Sequence, residues 1–282
     1  MDDARKAVEL FLAQDESTAQ DLASILQSDN TDRREKDSSI TEGALAMLQA
    51  DPALAHKKST VVYHEGWHKG VVGIVASRLT ETWYRPTVVL TKSGDLATGS
   101  ARSVVGFNLY EAIHACRDHL TAYGGHFAAA GLSLLPENIP AFTAAFEAAV
   151  SERILPEQLI PEQVVDGEIK FSDISPALYN IIAQMEPFGP ENMKPVWVAR
   201  GVTNNGSKIV KETHLRFQVK QGGISLSGIG FNLAAHMPLV ASGEPFDMLF
   251  TLDENEWQGQ VSLQIKVLDL RAATASFPPN AG

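Results

Sequence analysis

Apolar positions along the first fifty residues recur at helical spacing, fade, and return. Ala7, Val8, Leu10, Phe11 and Leu12 fall between Ala4 and Gln14 and predict a short, mostly buried helix. From Ser17 to about Ala50, Ala19, Leu22, Ala23, Ile25 and Leu26 give way to a polar stretch from Gln27 to Ser39. Ile40, Ala44, Leu45, Met47 and Leu48 follow. One long helix is predicted, polar all round in its middle as in helices that bridge two bodies.

The pattern then alternates between strand and helix. Thr60-Val61-Val62-Tyr63 and Pro86-Thr87-Val88-Val89-Leu90 read as buried strands on either side of a helix from about Gly70 to Trp83. Two further helices are predicted over Phe107 to Tyr123 and Ile139 to Ile154, so residues 58–155 form an α/β domain after a leading segment 1–57. Pro156, Pro161 and the Glu and Gln between them mark a boundary. Beyond it, strands are predicted over Val164–Ile169, Val196–Val202, His214–Lys220, Ile224–Phe231, Phe246–Asp253 and Gln260–Leu270, with turns at Gly222-Gly223 and Gln258-Gly259. Together with one helix near Pro176 to Met185, they fit a small all-β barrel of the OB type over 160–272; a sandwich fits the same pattern. Residues 273–282 read as a disordered tail.

Composition narrows the class. With 44% hydrophobic and 20% charged residues among 282, the chain is that of a globular protein of about two domains, and no apolar run reaches membrane-spanning length. A single cysteine, Cys116, excludes an internal disulfide, and the start Met1-Asp2-Asp3-Ala4-Arg5-Lys6 lacks the features of a secretory signal. A cytoplasmic setting is expected. The net charge of −11 opposes a polyanionic partner, but it is unevenly spread. Residues 1–60 carry 7 basic and 12 acidic side chains and 136–195 carry 3 and 10, whereas 61–135 carry 6 and 5 and 196–282 carry 7 and 7. Local basic surfaces thus remain open to the second and last of these segments.

Three segments carry candidate chemistry. In Glu65-Gly66-Trp67-His68-Lys69-Gly70-Val71-Val72-Gly73-Ile74-Val75-Ala76-Ser77-Arg78, small residues at Gly70, Gly73 and Ala76 permit close backbone approach, and His68 sits just ahead of a helix whose first amides favour an anion. Packing alone explains Gly73 and Ala76 equally well. Thr98-Gly99-Ser100-Ala101-Arg102-Ser103, read as the link from a strand to the helix near Phe107, surrounds one guanidinium with hydroxyls suited to a phosphate. In Gly124-Gly125-His126-Phe127-Ala128-Ala129-Ala130-Gly131 the paired glycines predict a turn that sets His126 in place.

In this order, with Asn30-x-x-Arg33 before them and Glu186-Pro187-Phe188-Gly189-Pro190-x-Asn192-x-x-Pro195-Val196 after, these segments resemble the RecJ family of the Asp-His-His phosphoesterase superfamily. The resemblance runs along nearly the whole chain. It implies a bridging helix, a DHH-associated domain and an OB-type domain, and Met1-Asp2-Asp3-Ala4 looks like the end of the segment that closes a catalytic domain. The implied activity is metal-dependent hydrolysis of single-stranded DNA from its 5′ end, in repair and recombination. Arg102 and His126 would grip a phosphate near the scissile bond, with Ser100 as a further donor and the amides of Gly124 and Gly125 beside them as an anion nest. His68, Arg78 and Arg33 would serve as weaker phosphate contacts. Trp197, Phe217, Phe231 and Trp257 are possible stacking residues, most of them core by strand alternation; Trp257, at the tip of a hairpin, is the best placed.

One family feature is missing. The sequence has no Asp-His-His triplet and none of the Asp-rich motifs that hold two manganese or magnesium ions in the superfamily. The chain is therefore expected to be part of a longer enzyme, with the ions bound by the other part and no metal in this one. Two other readings stay open: a small-nucleotide phosphoesterase of the same superfamily, and a non-catalytic single-strand-binding module.

Overall fold

The computed structural model of the chain describes residues 4–257 and 259–273 and divides into two units, Met1–Pro161 and Glu162–Gly282. The first opens with α1 (Arg5–Leu12) and α2 (Glu16–Gln49), the latter capped by Asp15, whose carboxylate accepts the Thr18 N–H at 2.8 Å. The expected burial of the first helix is corrected: α1 buries none of its residues, and Phe11 is 88% exposed. The long helix is as predicted. Its buried residues, Asp37, Ile40, Ala44 and Leu48, recur every three or four positions in the second half only.

There follow β1 (Thr60–Tyr63), α3 (Val72–Trp83), β2 (Thr87–Ser93), β3 (Leu96–Arg102), α4 (Leu109–Ala115), β4 (Ala122–Gly125), β5 (Ala129–Leu134) and α5 (Ile139–Arg153). The strands form one sheet in the order β1-β2-β3-β5-β4, parallel at β1–β2 and antiparallel elsewhere. Three sequence expectations change here. The helix predicted over Phe107 to Tyr123 ends at Ala115, because the buried spacing Leu109, Ala112, Ile113, Cys116 stops at polar Arg117-Asp118-His119; Tyr123 belongs to β4. The segment 98–103 is mostly strand, not a link. Gly124 and Gly125 lie in strand β4, not in a turn.

Two cores clasp the sheet. One face packs Ala97, Ala101, Leu132 and Leu134 against Leu109, Ile113, Phe142 and Phe146 of α4 and α5. On the other, Val62 and Val89 pack against Val72, Val75, Ala76 and Leu79 of α3 and Ile40, Ala44 and Leu48 of α2. The polar centre of α2 is fixed to α3 by one ion pair, Arg78 to Asp37 at 2.6 Å; the carboxylate is 8% exposed and the guanidinium 51%.

The second unit contains β6 (Gly167–Glu168), α6 (Pro176–Ala183), β7 (Trp197–Asn204), β8 (Lys208–Val210), β9 (His214–Gln221), β10 (Ile224–Gly230), α7 (Met237–Val240), β11 (Phe246–Trp257) and β12 (Gln260–Ala272). Strands β7, β11, β12, β10 and β9 pair in that order, and β9 returns to β7 through Thr203–Lys220 and Asn204–Val219. The result is a closed five-stranded barrel of the OB type, not a sandwich, filled by Phe171, Phe217, Phe246, Phe250 and Leu215. Its closing parallel pair sets Gly228 against Ile265, where an added Cβ would run into the Ile265 carbonyl oxygen. Most of the predicted tail and the Met1-Asp2-Asp3 start lie outside the described residues. Among the described residues no helix is long and apolar enough to cross a membrane.

Removing the Arg78 guanidinium strands a buried carboxylate whose other neighbour is the Thr41 hydroxyl at 3.4 Å. Arg78→Ala is expected to destabilise the chain by about 1–3 kcal/mol in urea melts. The double variant Asp37→Ala/Arg78→Ala should recover part of that loss, because no unpaired charge remains.

Candidate functional site

Strand alternation sorts β3 into two sets. Ala97, Gly99 and Ala101 are buried toward α4 and α5, while Thr98, Ser100 and Arg102 are half-buried on the opposite face. The register carries that face across the sheet: Ser100 pairs with Gly131 and Gly131 with Gly124, while Arg102 pairs with Ala129. Thr98 and Ser133 share a hydroxyl hydrogen bond of 3.1 Å in the neighbouring row. On this face α3 packs over β2 and β3, and the part over β5 and β4 is a floor of Gly, Ala and Ser.

The glycines of this floor differ in what they do. An added Cβ at Gly125 would stand 2.5 Å from Ala130 Cα, so backbone packing demands glycine there. At Gly124 it would meet nothing within 4 Å, and at Gly131 only the Gly99 carbonyl at 3.9 Å. The fold itself would accept a side chain at either, and glycine in a strand interior is otherwise unfavourable. What these two glycines preserve is open space above the sheet.

The loop that carries His126 closes the end of this floor at which β3 ends with Arg102. The loop from β4 to β5 is closed by the His126 N–H donating to the Ala129 carbonyl at 2.8 Å, and Ala129 is the register partner of Arg102. The same loop is tied down by N–H groups of Ser103, to the Ala128 carbonyl at 3.0 Å, and Leu109, to the Phe127 carbonyl at 2.9 Å. His126 itself is exposed. The Arg102 guanidinium donates to the Ala101 carbonyl at 2.9 Å and lies against Gly73, where a Cβ would be 3.1 Å from its Nη2 and 3.3 Å from Ser100 Oγ. Gly73 therefore makes room for the two groups most suited to an anion.

The remaining candidates are placed differently. His68 lies ahead of α3, its Nδ1 accepting the Gly70 N–H at 3.1 Å. Arg78 turns to Asp37, and Arg33 donates to Asn30 Oδ1 at 2.7 Å within α2. Both guanidiniums are thus engaged with partners on α2. The nest expected at Gly124 and Gly125 is corrected, since successive amides of a strand point opposite ways and do not converge on one anion. Cys116 is core, its thiol pushed up to about 11 by burial, and is not a nucleophile.

On the barrel, the register aligns Lys208, Arg216, Ile229 and Lys266 in one row across β8, β9, β10 and β12. The three cations are exposed, with Leu215, Phe217, Ile265 and Val267 buried inward beside them. Phe231, 52% exposed, stands next to the row: its ring meets His214 edge-on at 5.2 Å and lies 5.9 Å from Lys266 Nζ. Phe217 is core and Trp197 packs against it. Trp257 ends β11, and its side chain lies outside the described residues. Among the described residues no three or more His, Cys, Asp or Glu side chains are grouped to hold a metal ion, so they do not fit a two-ion centre.

Gly125→Ala should lower the thermal midpoint clearly, whereas Gly124→Ala and Gly131→Ala should leave it unchanged or raise it slightly. Parallel thermal melts followed by circular dichroism check this.

Residues 56–152 match the DHHA1 domain family and residues 165–269 the RecJ OB domain family. The chain is 32% identical over 273 residues to the single-stranded-DNA-specific exonuclease RecJ of Bacillus subtilis, covering 95% of this chain and 34% of that protein. To the RecJ of Dickeya dadantii it is 32% identical over 279 residues, covering 95% and 48%. A crystal structure of Thermus thermophilus RecJ with Mn2+ superposes with a TM-score of 0.77 at 28% identity, over 96% of this chain and 39% of that one. The chain thus spans about a third to a half of the length of the curated relatives it matches. Carrying a DHHA1 domain followed by a RecJ OB domain, it belongs to the RecJ family.

Proposed function

We propose that this chain is the substrate-binding part of a metal-dependent exonuclease that degrades single-stranded DNA in the 5′→3′ direction, in DNA repair and recombination. The observation that carries this reading is the open floor at Gly124 and Gly131 beside Ser100, Arg102 and His126. A phosphodiester needs room and hydrogen-bond donors, at least one of them charged, and both are present without any carboxylate among these residues. The relatives are named for single-strand-specific exonuclease activity, and the Thermus protein has been crystallised with Mn2+ and with Mg2+. In the longer protein, manganese or magnesium would activate water and stabilise the leaving oxygen, held by residues outside this chain. This chain's residues bind and orient. Arg102 offers its planar fork to a phosphate near the scissile bond, Ser100 adds a hydroxyl donor, and His126 closes the same end.

The barrel row of Lys208, Arg216 and Lys266 with Phe231 suits the trailing strand, its cations spaced along the backbone and its exposed ring available to a base. That row favours a polynucleotide over the small-nucleotide reading, because a short substrate needs no extended surface.

In the longer protein, Arg102→Ala and His126→Ala should each lower turnover by about 100-fold to 1000-fold with folding intact by circular dichroism. Near-normal turnover would remove that residue from the site. The chain by itself should bind single-stranded oligonucleotide weakly, lose affinity with salt along a shallow slope, and release no nucleotide with added manganese. Fluorescence anisotropy over a salt series and an end-labelled degradation assay read the two outcomes separately.

A further inference from the structure

We propose that the groove between α2 and the loop joining β1 to α3 is a second nucleotide seat, in which His64, His68 and Lys36 hold a phosphate of the strand. This rests on the single-strand reading above and extends it away from the floor of the sheet. The groove has a volume of about 660 Å³ and takes Lys36, Ser39 and Ile40 from α2, and His64, Trp67 and His68 from the loop. That volume is ordinary for a site holding one small molecule or nucleotide.

The two imidazoles are oriented in the same way. Gly66 N–H donates to His64 Nδ1 and Gly70 N–H to His68 Nδ1, each at 3.1 Å. A neutral imidazole that accepts at Nδ1 carries its proton on Nε2, so both rings present a donor at the nitrogen that remains. The rings are also held in place. His64 stacks on Trp67 at 5.4 Å between centroids, and the Thr91 hydroxyl donates to the Trp67 carbonyl at 2.6 Å, pinning the loop to β2. Lys36 contributes a full charge and Ser39 a hydroxyl, against one carboxylate lining the groove, Glu35. Trp67 and Ile40 supply the apolar wall that a base or sugar requires.

The position suits a continuous strand. His68 bonds Gly70 just ahead of α3, and Gly73, in its first turn, abuts Ser100 and Arg102. The two seats therefore flank the start of α3, five residues apart along the chain from His68 to Gly73, and one strand crossing that start would meet both.

Oligothymidylate titrated into the whole chain, followed by anisotropy at several salt concentrations, tests the seat. Lys36→Gln should weaken binding and flatten the plot of log K against log salt by about 0.7, the loss of one single-strand phosphate contact. His68→Asn keeps an oxygen for the Gly70 N–H but loses the far donor; it should weaken binding threefold or more. His68→Gln, whose amide N–H reaches the place of Nε2, should restore part of the affinity. Unchanged affinity and slope in all three, with Arg102→Ala still weakening binding, would overturn the seat and leave the main reading standing. No binding by the unsubstituted chain at low salt would overturn both.

Discussion

A helix about 10 Å across covers roughly two strands spaced 4.8 Å apart, and α3 packs on β2 and β3. Everything distinctive about the first unit depends on that limit. Where α2 and α3 cover the sheet, β1 and β2 carry Val62 and Val89; beyond them β5 and β4 carry Ala129, Gly131, Ser133 and Gly124. A bare sheet face lined by large apolar residues would invite association, whereas one lined by glycine and hydroxyl groups tolerates water and yields to a polar ligand. The opposite face, covered by α4 and α5, holds the strands rigid. The open face can therefore be both unobstructed and well positioned, as a site for a reacting phosphate must be.

The barrel meets a related demand by other means. Closure removes its edges, so its outer surface can be given to charge without exposing unpaired backbone. The chain as a whole is acidic, at −11, yet Lys208, Arg216 and Lys266 come together because alternate residues on neighbouring strands share a face. Net charge describes the long-range field; the register decides where a strand can touch.

Much of this was legible in the sequence, and the exceptions have physical causes. Helical spacing in α2 and α3 and the apolar runs of β1 and β2 identified those elements, because burial there follows a clean period. The segments 98–103 and 124–131 read as link and turn because small residues carry no hydropathy contrast: Thr98, Ser100, Ala129, Gly131 and Ser133 do alternate, but between small and apolar, not polar and apolar. Arg102, His126 and Ser100 were visible as residue types suited to a phosphate, yet the pairing of Arg102 with Ala129 and of Ser100 with Gly131 is a fact of register, set across nearly thirty residues. Gly73 was seen as a packing glycine; that it accommodates the Arg102 guanidinium follows only from where β3 runs. The pairing of Arg78 with Asp37, forty-one residues earlier, had no sign in the sequence, because nothing there reveals that the carboxylate is buried against α3.

The seam at Gly228 carries a different implication. With no space for even a methyl group beside Ile265, any side chain there would prise β10 from β12 and turn a closed cylinder into an open sheet. An open sheet has two free margins, each a row of unpaired amides and carbonyls ready to recruit another chain. Damage at this one position would therefore show itself as self-association and loss of solubility before it showed as loss of secondary structure.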